Sequence, residues 1–84
     1  MAGPPDPLFK VLLALREGAA EGYGLMQKTS LDRQALADVL RQLLGQDLIF
    51  LKGELDPERV GDAYVSLRPS ARSRVEQMFY RQTL

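Results

Sequence analysis

The order of hydrophobic patterns along this 84-residue chain limits the folds that it can adopt. Apolar residues first recur at helical spacing, and beyond Gly45 they form short runs and alternations typical of strands. At this length the chain fits one small domain whose core leaves little room for a deep internal pocket. The pattern therefore predicts a mainly helical α+β domain.

Four segments carry helix signals. Asp6 and Pro7 provide a carboxylate cap followed by proline at the first helical position. Thr29 or Ser30 can cap the third helix, whose leucines form one wide apolar face. The predicted helices span about 7–17, 23–28, 31–46 and 70–82.

Two strand signals follow the third helix. The predicted strands span about 48–52 and 62–68, and the segment 53–61 between them is rich in turn-forming residues. We expect residues 1–5 to be a flexible lead and 6–84 to be a single domain.

The second and third helices, separated by a very short joint, predict a helix-turn-helix. With the strand pair as a β wing, the predicted fold is a winged helix-turn-helix. It comprises a three-helix core, a two-stranded wing whose tip is 53–61, and an added C-terminal helix.

Three segments also resemble bacterial PadR-type and MarR-type winged-helix regulators: Gly22-Tyr23-Gly24-Leu25, Leu43 to Ile49, and Tyr64 to Arg72. The resemblance covers nearly the whole chain. It implies a DNA-binding transcriptional regulator whose third helix enters the major groove. The chain departs from that family in its shorter helices and in its acidic wing.

The side of the third helix opposite the leucines should face DNA. At about 100° per residue this side carries Gln34, Ala37, Asp38 and Arg41, with Arg33 at its margin. Arg33 could pair with guanine and Gln34 with adenine, whereas Asp38 must read a cytosine amine or be neutralised by Arg41. The alternative is a solvated face with an internal ion pair. The predicted DNA-contacting residues are Lys28, Arg33, Gln34, Ala37, Asp38, Arg41, Lys52 and Arg59.

The charge of the wing supports a second function class. Residues 52–62 contain Lys52 and Arg59 against four acidic residues, and the whole chain has a net charge of zero. Because DNA affinity depends largely on phosphate neutralisation, such a wing contributes little to it. The alternative is a winged-helix adaptor or assembly module that binds a basic protein partner instead of DNA.

The C-terminal helix presents bulky residues close together. Val75, Met78, Phe79 and Tyr80 predict a homodimer or partner surface, as the regulator resemblance also implies. Alternatively, Met78 and Phe79 cover the first helix and Tyr80 reaches solvent.

Other function classes receive little support from the residues present. The chain has no cysteine and no histidine, and its glycines form no phosphate-binding motif. We therefore expect a protein that is not an enzyme and that has no cofactor or metal ion. Its apolar stretches are too short to span a bilayer and its first residues lack the basic start of a signal peptide, so we expect a cytosolic location.

Overall fold

The computed structural model describes residues 6–83, with side chains described through Arg81; the lead predicted for 1–5 lies outside this range. The elements follow the predicted order with one additional strand. They are α1 (Pro7–Arg16), β1 (Ala20–Glu21), α2 (Gly22–Thr29), α3 (Arg33–Gly45), β2 (Ile49–Lys52), β3 (Tyr64–Leu67) and α4 (Arg72–Thr83), with 3₁₀ turns at Val60–Asp62 and Pro69–Ala71.

Helix α1 begins as its sequence predicts. The Asp6 carboxylate accepts a hydrogen bond from the Leu8 amide at 2.9 Å, and Pro7 occupies the first helical position. Val11, Leu12 and Leu15 are buried on the face that packs against α2 and α3.

The joint between α2 and α3 differs from the prediction. Ser30 adopts a left-handed conformation (φ +60°) that ends α2, and the hydroxyl of Thr29 donates to the Leu25 carbonyl at 2.6 Å. Neither residue caps α3. Asp32 does so, because its carboxylate accepts from the Ala35 amide at 2.8 Å, and α3 therefore begins at Arg33 instead of Leu31.

The sheet has three antiparallel strands in the order β1-β3-β2. The predicted strand pair is present, with Ile49 opposite Leu67 and Lys52 opposite Tyr64. The additional strand β1 pairs with the other edge of β3 and places Glu21 opposite Tyr64. This strand has two residues and is therefore too short to show the alternation that would have predicted it.

The core lies between the helices and the inner face of the sheet. Residues from every helix and from both longer strands are fully or almost fully buried there, including Leu12, Leu25, Leu36, Leu40, Leu43, Ile49, Val65 and Val75. Inner and outer residues alternate along β3, where Val65 is buried and Tyr64 is exposed. Within residues 6–83, no helix is both long enough and apolar enough to cross a membrane.

Candidate nucleic-acid interface

The exposed side of α3 is rotated slightly from its predicted position. Gln34, Asp38 and Arg41 are exposed as predicted, but Ala37 is completely buried. The turn at Val60–Asp62 packs against α3, and Val60 is also fully buried, so the apolar surface of the helix is wider than its leucines indicate. Gln42 is exposed instead; it lies one turn after Asp38 on this face and is absent from the predicted set.

Polar side chains on this face are linked to one another. Gln34 donates to the Asp38 carboxylate at 3.1 Å, and Arg41 donates to the same oxygen at 3.4 Å. Asp38 is therefore paired with Arg41, as in the predicted alternative of an internal ion pair. Exposed contacts of this kind contribute little free energy, so the amide, carboxylate and guanidinium groups can exchange them for base edges at small cost.

Arg33 differs from these three residues because its guanidinium contacts the segment between β2 and β3. Its Nη1 atom donates to the Glu58 carbonyl at 3.1 Å and to the Pro57 carbonyl at 3.4 Å. Its Nη2 atom donates to the Tyr23 hydroxyl at 3.4 Å, and its Cζ atom lies 5.5 Å from the centre of the Tyr23 ring. The predicted guanine contact therefore competes with an existing set of partners.

The segment 53–63, which we call the β2–β3 loop, connects the two wing strands as predicted and folds back onto α2 and α3. The Asp56 carbonyl accepts from the amides of Arg59 and Val60, both at 2.8 Å, which turns the chain back toward the helices. Gly22 completes the attachment by donating its amide to the Ala63 carbonyl at 2.8 Å. The wing is consequently a short strand pair whose connecting loop is packed against α2 and α3.

Two glycines permit this close packing. A Cβ atom on Gly22 would lie 1.8 Å from the Val60 carbonyl oxygen, and one on Gly61 would lie 2.6 Å from the Tyr23 ring. A larger residue at Gly22 would require α2 or the loop to move, and one at Gly61 would displace the Tyr23 ring. The Gly22-Tyr23 pair of the sequence motif therefore forms the contact between α2 and the loop.

The cations predicted to bind phosphates have different environments. Lys28 pairs with Glu17 at 3.7 Å and Arg59 pairs with Glu54 at 3.1 Å, and all four side chains are largely exposed. Lys52 has no ion-pair partner among the residues that the structure describes. Acidic side chains at Asp56, Glu58 and Asp62 remain exposed on the β2–β3 loop.

The surface predicted on α4 is smaller than expected. Val75 is completely buried in the core of its own chain and is unsuited to a dimer contact. Met78 and Phe79 are partly buried against that core. The Phe79 and Phe9 rings meet edge-on, with 5.7 Å between their centroids. Of the four residues, Tyr80 is the one that is mainly exposed. Phe79 thus covers α1, as the alternative interpretation expects, and Met78 packs against the core.

Solved structures of bacterial regulators share this fold. The structure of BpsR from Bordetella bronchiseptica, described as having its DNA binding regulated by 6-hydroxynicotinic acid, is 28% identical with a TM-score of 0.72; the match covers 90% of this chain and 57% of that one. NMB1585, a MarR family regulator from Neisseria meningitidis, is 27% identical with a TM-score of 0.72, over 95% and 56% of the two chains. The adhesin competence repressor AdcR from Streptococcus pyogenes is 14% identical with a TM-score of 0.70, over 94% and 57%.

These neighbours confirm a winged helix-turn-helix fold that resembles MarR-type transcriptional regulators. Their descriptions concern regulated DNA binding, repression and MarR-type regulation. The present chain spans somewhat more than half of the length of each. No protein-family model and no curated protein matches the sequence.

Proposed function

We propose that this chain is the DNA-binding domain of a transcriptional regulator and that α3 enters the major groove. The observation that carries the proposal is the exposed row of hydrogen-bonding side chains on α3, in a fold shared with transcriptional regulators. A helix in this position meets base edges through its outward side chains.

Base contacts are assigned to Gln34, Asp38, Arg41 and Gln42. Arg41 has the fork geometry for guanine, the two glutamine amides suit adenine, and Asp38 can accept from a cytosine amine. Each good bidentate pair discriminates against the wrong base by about 1–3 kcal/mol. Arg41 replaces Arg33 as the guanine-reading candidate, because the Arg33 guanidinium is directed to the β2–β3 loop.

Phosphate contacts are assigned to Lys28, Lys52 and Arg59. Lys28 and Arg59 must exchange an exposed carboxylate for a phosphate, which is inexpensive because exposed ion pairs are weak. Three phosphate contacts correspond to a salt dependence of about −3 in log affinity against log salt. The exposed carboxylates of Asp56, Glu58 and Asp62 repel phosphates, so we expect a modest affinity for non-specific DNA.

The proposal can be tested by fluorescence anisotropy with duplexes selected from a random library and with a mixed-sequence duplex, between ~50 and ~200 mM salt. Arg41→Ala should reduce the affinity for the selected duplex more than for the mixed one. Arg72→Ala on α4 is a matched control, since it removes an exposed arginine outside the proposed interface and should change neither affinity. Absence of binding at low salt would contradict the proposal and favour a basic protein partner.

A homodimer remains a prediction. With Val75 buried, a dimer contact through α4 would centre on Tyr80, which is 69% exposed. Sedimentation equilibrium of the wild type and of Tyr80→Ala measures this directly. We expect the variant to be monomeric if α4 forms the dimer contact, and an unchanged association constant would exclude that surface.

A further inference from the structure

Residues at the start of α2 (Gly22 and Tyr23) and at the start of α3 (Arg33) pack together against the β2–β3 loop. Arg33 hydrogen-bonds to the carbonyls of Pro57 and Glu58 and lies over the Tyr23 ring, while that ring packs on the backbone of Gly61. We call these five residues the clasp. The clasp therefore holds the loop on both sides of Arg59.

We infer that Arg33 is a positioning residue for DNA binding: through the clasp it places Arg59 beside α3, where Arg59 can contact a phosphate. This inference rests on the proposed DNA-binding function. It assigns Arg33 a role different from base reading, and it assigns Tyr23 the role of a platform for the Arg33 side chain.

Geometry explains why an arginine is required at this position. A guanidinium has a planar fork of donors that can reach two neighbouring carbonyls, and its flat face can lie on an aromatic ring at the same time. A lysine ammonium keeps the charge but has neither the fork nor the flat face. Arg33→Lys should consequently release the loop almost as fully as Arg33→Ala.

The loop restrains the backbone of Arg59, whose amide donates to the Asp56 carbonyl at 2.8 Å and whose carbonyl accepts from the Asp62 amide at 3.0 Å, but both bonds lie within the loop. The Arg59 side chain is exposed, and its ion pair is with Glu54, which belongs to the same loop. That pair does not connect Arg59 to α3. Without the clasp, the distance between Arg59 and the exposed face of α3 would depend on the turn at Val60–Asp62 and on the two strands.

The test is a double-mutant cycle on DNA affinity, comprising the wild type, Arg33→Ala, Arg59→Ala and the double variant. If Arg33 acts through Arg59, each single variant should weaken binding by about fivefold, a modest but measurable change, and the double variant should weaken it by about the same factor. The salt slope should fall by about 0.9 in all three variants, because one and the same phosphate contact is lost.

Independent action would give a different result. If Arg33 itself contacts DNA, the two losses should multiply to about 25-fold, since effects of independent sites are additive in free energy. Arg33→Lys would then retain most of the affinity. A changed preference at one base pair in Arg33→Ala would indicate base reading. Each of these outcomes would overturn the inference.

Two controls separate positioning from a general loss of structure. In a cycle of Arg41→Ala with Arg59→Ala the two losses of affinity should multiply, because the Arg41 guanidinium is paired with Asp38 and, within residues 6–83, has no hydrogen bond to the loop. Amide NMR shifts of the unbound Arg33→Ala protein should change in residues 54–62 and not in the core strands, and the thermal transition shows that the variant is folded. If the wild type fails to bind DNA, the proposed function and the inference both fail. If it binds DNA and the affinity losses of Arg33→Ala and Arg59→Ala multiply, only the inference fails.

Discussion

Two junctions attach peripheral segments to the three-helix core, and they depend on opposite kinds of contact. The α4 seam uses large side chains: Val75 is buried, Phe79 packs on Phe9, and Arg16 lies over the Phe79 ring while forming a two-point ion pair with Glu76. The loop junction, formed by the clasp and Gly22, instead packs α2 and α3 directly against the backbone of the loop: the Arg33 and Tyr23 side chains contact loop backbone, and Gly22 and Gly61 allow the close approach.

The difference predicts different tolerance to substitution and different consequences. Truncating one side chain of the α4 seam leaves its other packing contacts in place. At a glycine that touches backbone, by contrast, even an added methyl group does not fit. The loop junction also borders the proposed interface, and the α4 seam does not include any of its residues. Substitutions in the seam should therefore change stability alone, and those in the loop junction should also change DNA binding.

The largest effect is expected for Gly22→Ala. The new Cβ would lie 1.8 Å from the Val60 carbonyl oxygen, so α2 or the loop must move, and we expect destabilisation of about 3 kcal/mol. Gly24→Ala is the matched control in the same helix, because a Cβ there meets nothing within 4 Å. It should stabilise the protein by roughly 0.5–1 kcal/mol. Urea unfolding followed by circular dichroism measures both, and similar stabilities for the two variants would refute the close approach at Gly22.

Val75→Ala should have the next largest effect. Removing two buried methyl groups from the α4 seam should cost about 2 kcal/mol, since each buried carbon contributes close to 1 kcal/mol and a cavity adds to the loss. The DNA affinity of the folded protein should remain that of the wild type. If fully folded Val75→Ala bound DNA more weakly than the wild type, the α4 seam and the interface would be coupled.

The Arg16–Glu76 pair should contribute less. Both side chains are substantially exposed, so despite its two-point geometry we expect a coupling free energy of roughly 0.5–1 kcal/mol. A double-mutant cycle of Arg16→Ala with Glu76→Ala, measured by urea unfolding at low and high salt, isolates this term. Coupling that does not decrease at high salt would contradict an exposed electrostatic contact.

Tyr23→Phe should have the smallest effect. It keeps the ring on Gly61 and beneath Arg33 and removes only the hydroxyl that accepts at 3.4 Å, so stability should change by less than about 0.5 kcal/mol. Tyr23→Ala should instead weaken DNA binding as Arg33→Ala does. Equal DNA affinities of Tyr23→Phe and Tyr23→Ala would show that the Tyr23 ring does not contribute to the clasp.

Sequence periodicity was sufficient to predict the order of the helices and the two longer strands. Those signals are local, since Leu36, Leu40 and Leu43 share one face by helical spacing alone. The third strand and the path of the β2–β3 loop depend on contacts between residues far apart in the chain. The pairing of Ala20 with Val65 and the approach of Gly22 to Val60 have no local pattern.

The same limit explains why the surroundings of two α3 residues differ from the sequence prediction. Ala37 was placed outward because it lies beside Gln34 and Arg41 on a helical projection, but the turn at Val60–Asp62 packs against that side of α3. The partners of Arg33 also have no local pattern, because a helical projection does not show the carbonyls of Pro57 and Glu58. Gln34, Asp38 and Arg41 are exposed, as their helical spacing predicts.

The most direct test of the account is an amide NMR titration with mixed-sequence duplex DNA at low and moderate salt. We expect shifts at Gln34, Asp38, Arg41 and Gln42 and in the β2–β3 loop, with little change around Val75, and these shifts should weaken steeply as salt increases. An absence of shifts at low salt, or shifts confined to α4, would contradict DNA binding through the exposed face of α3.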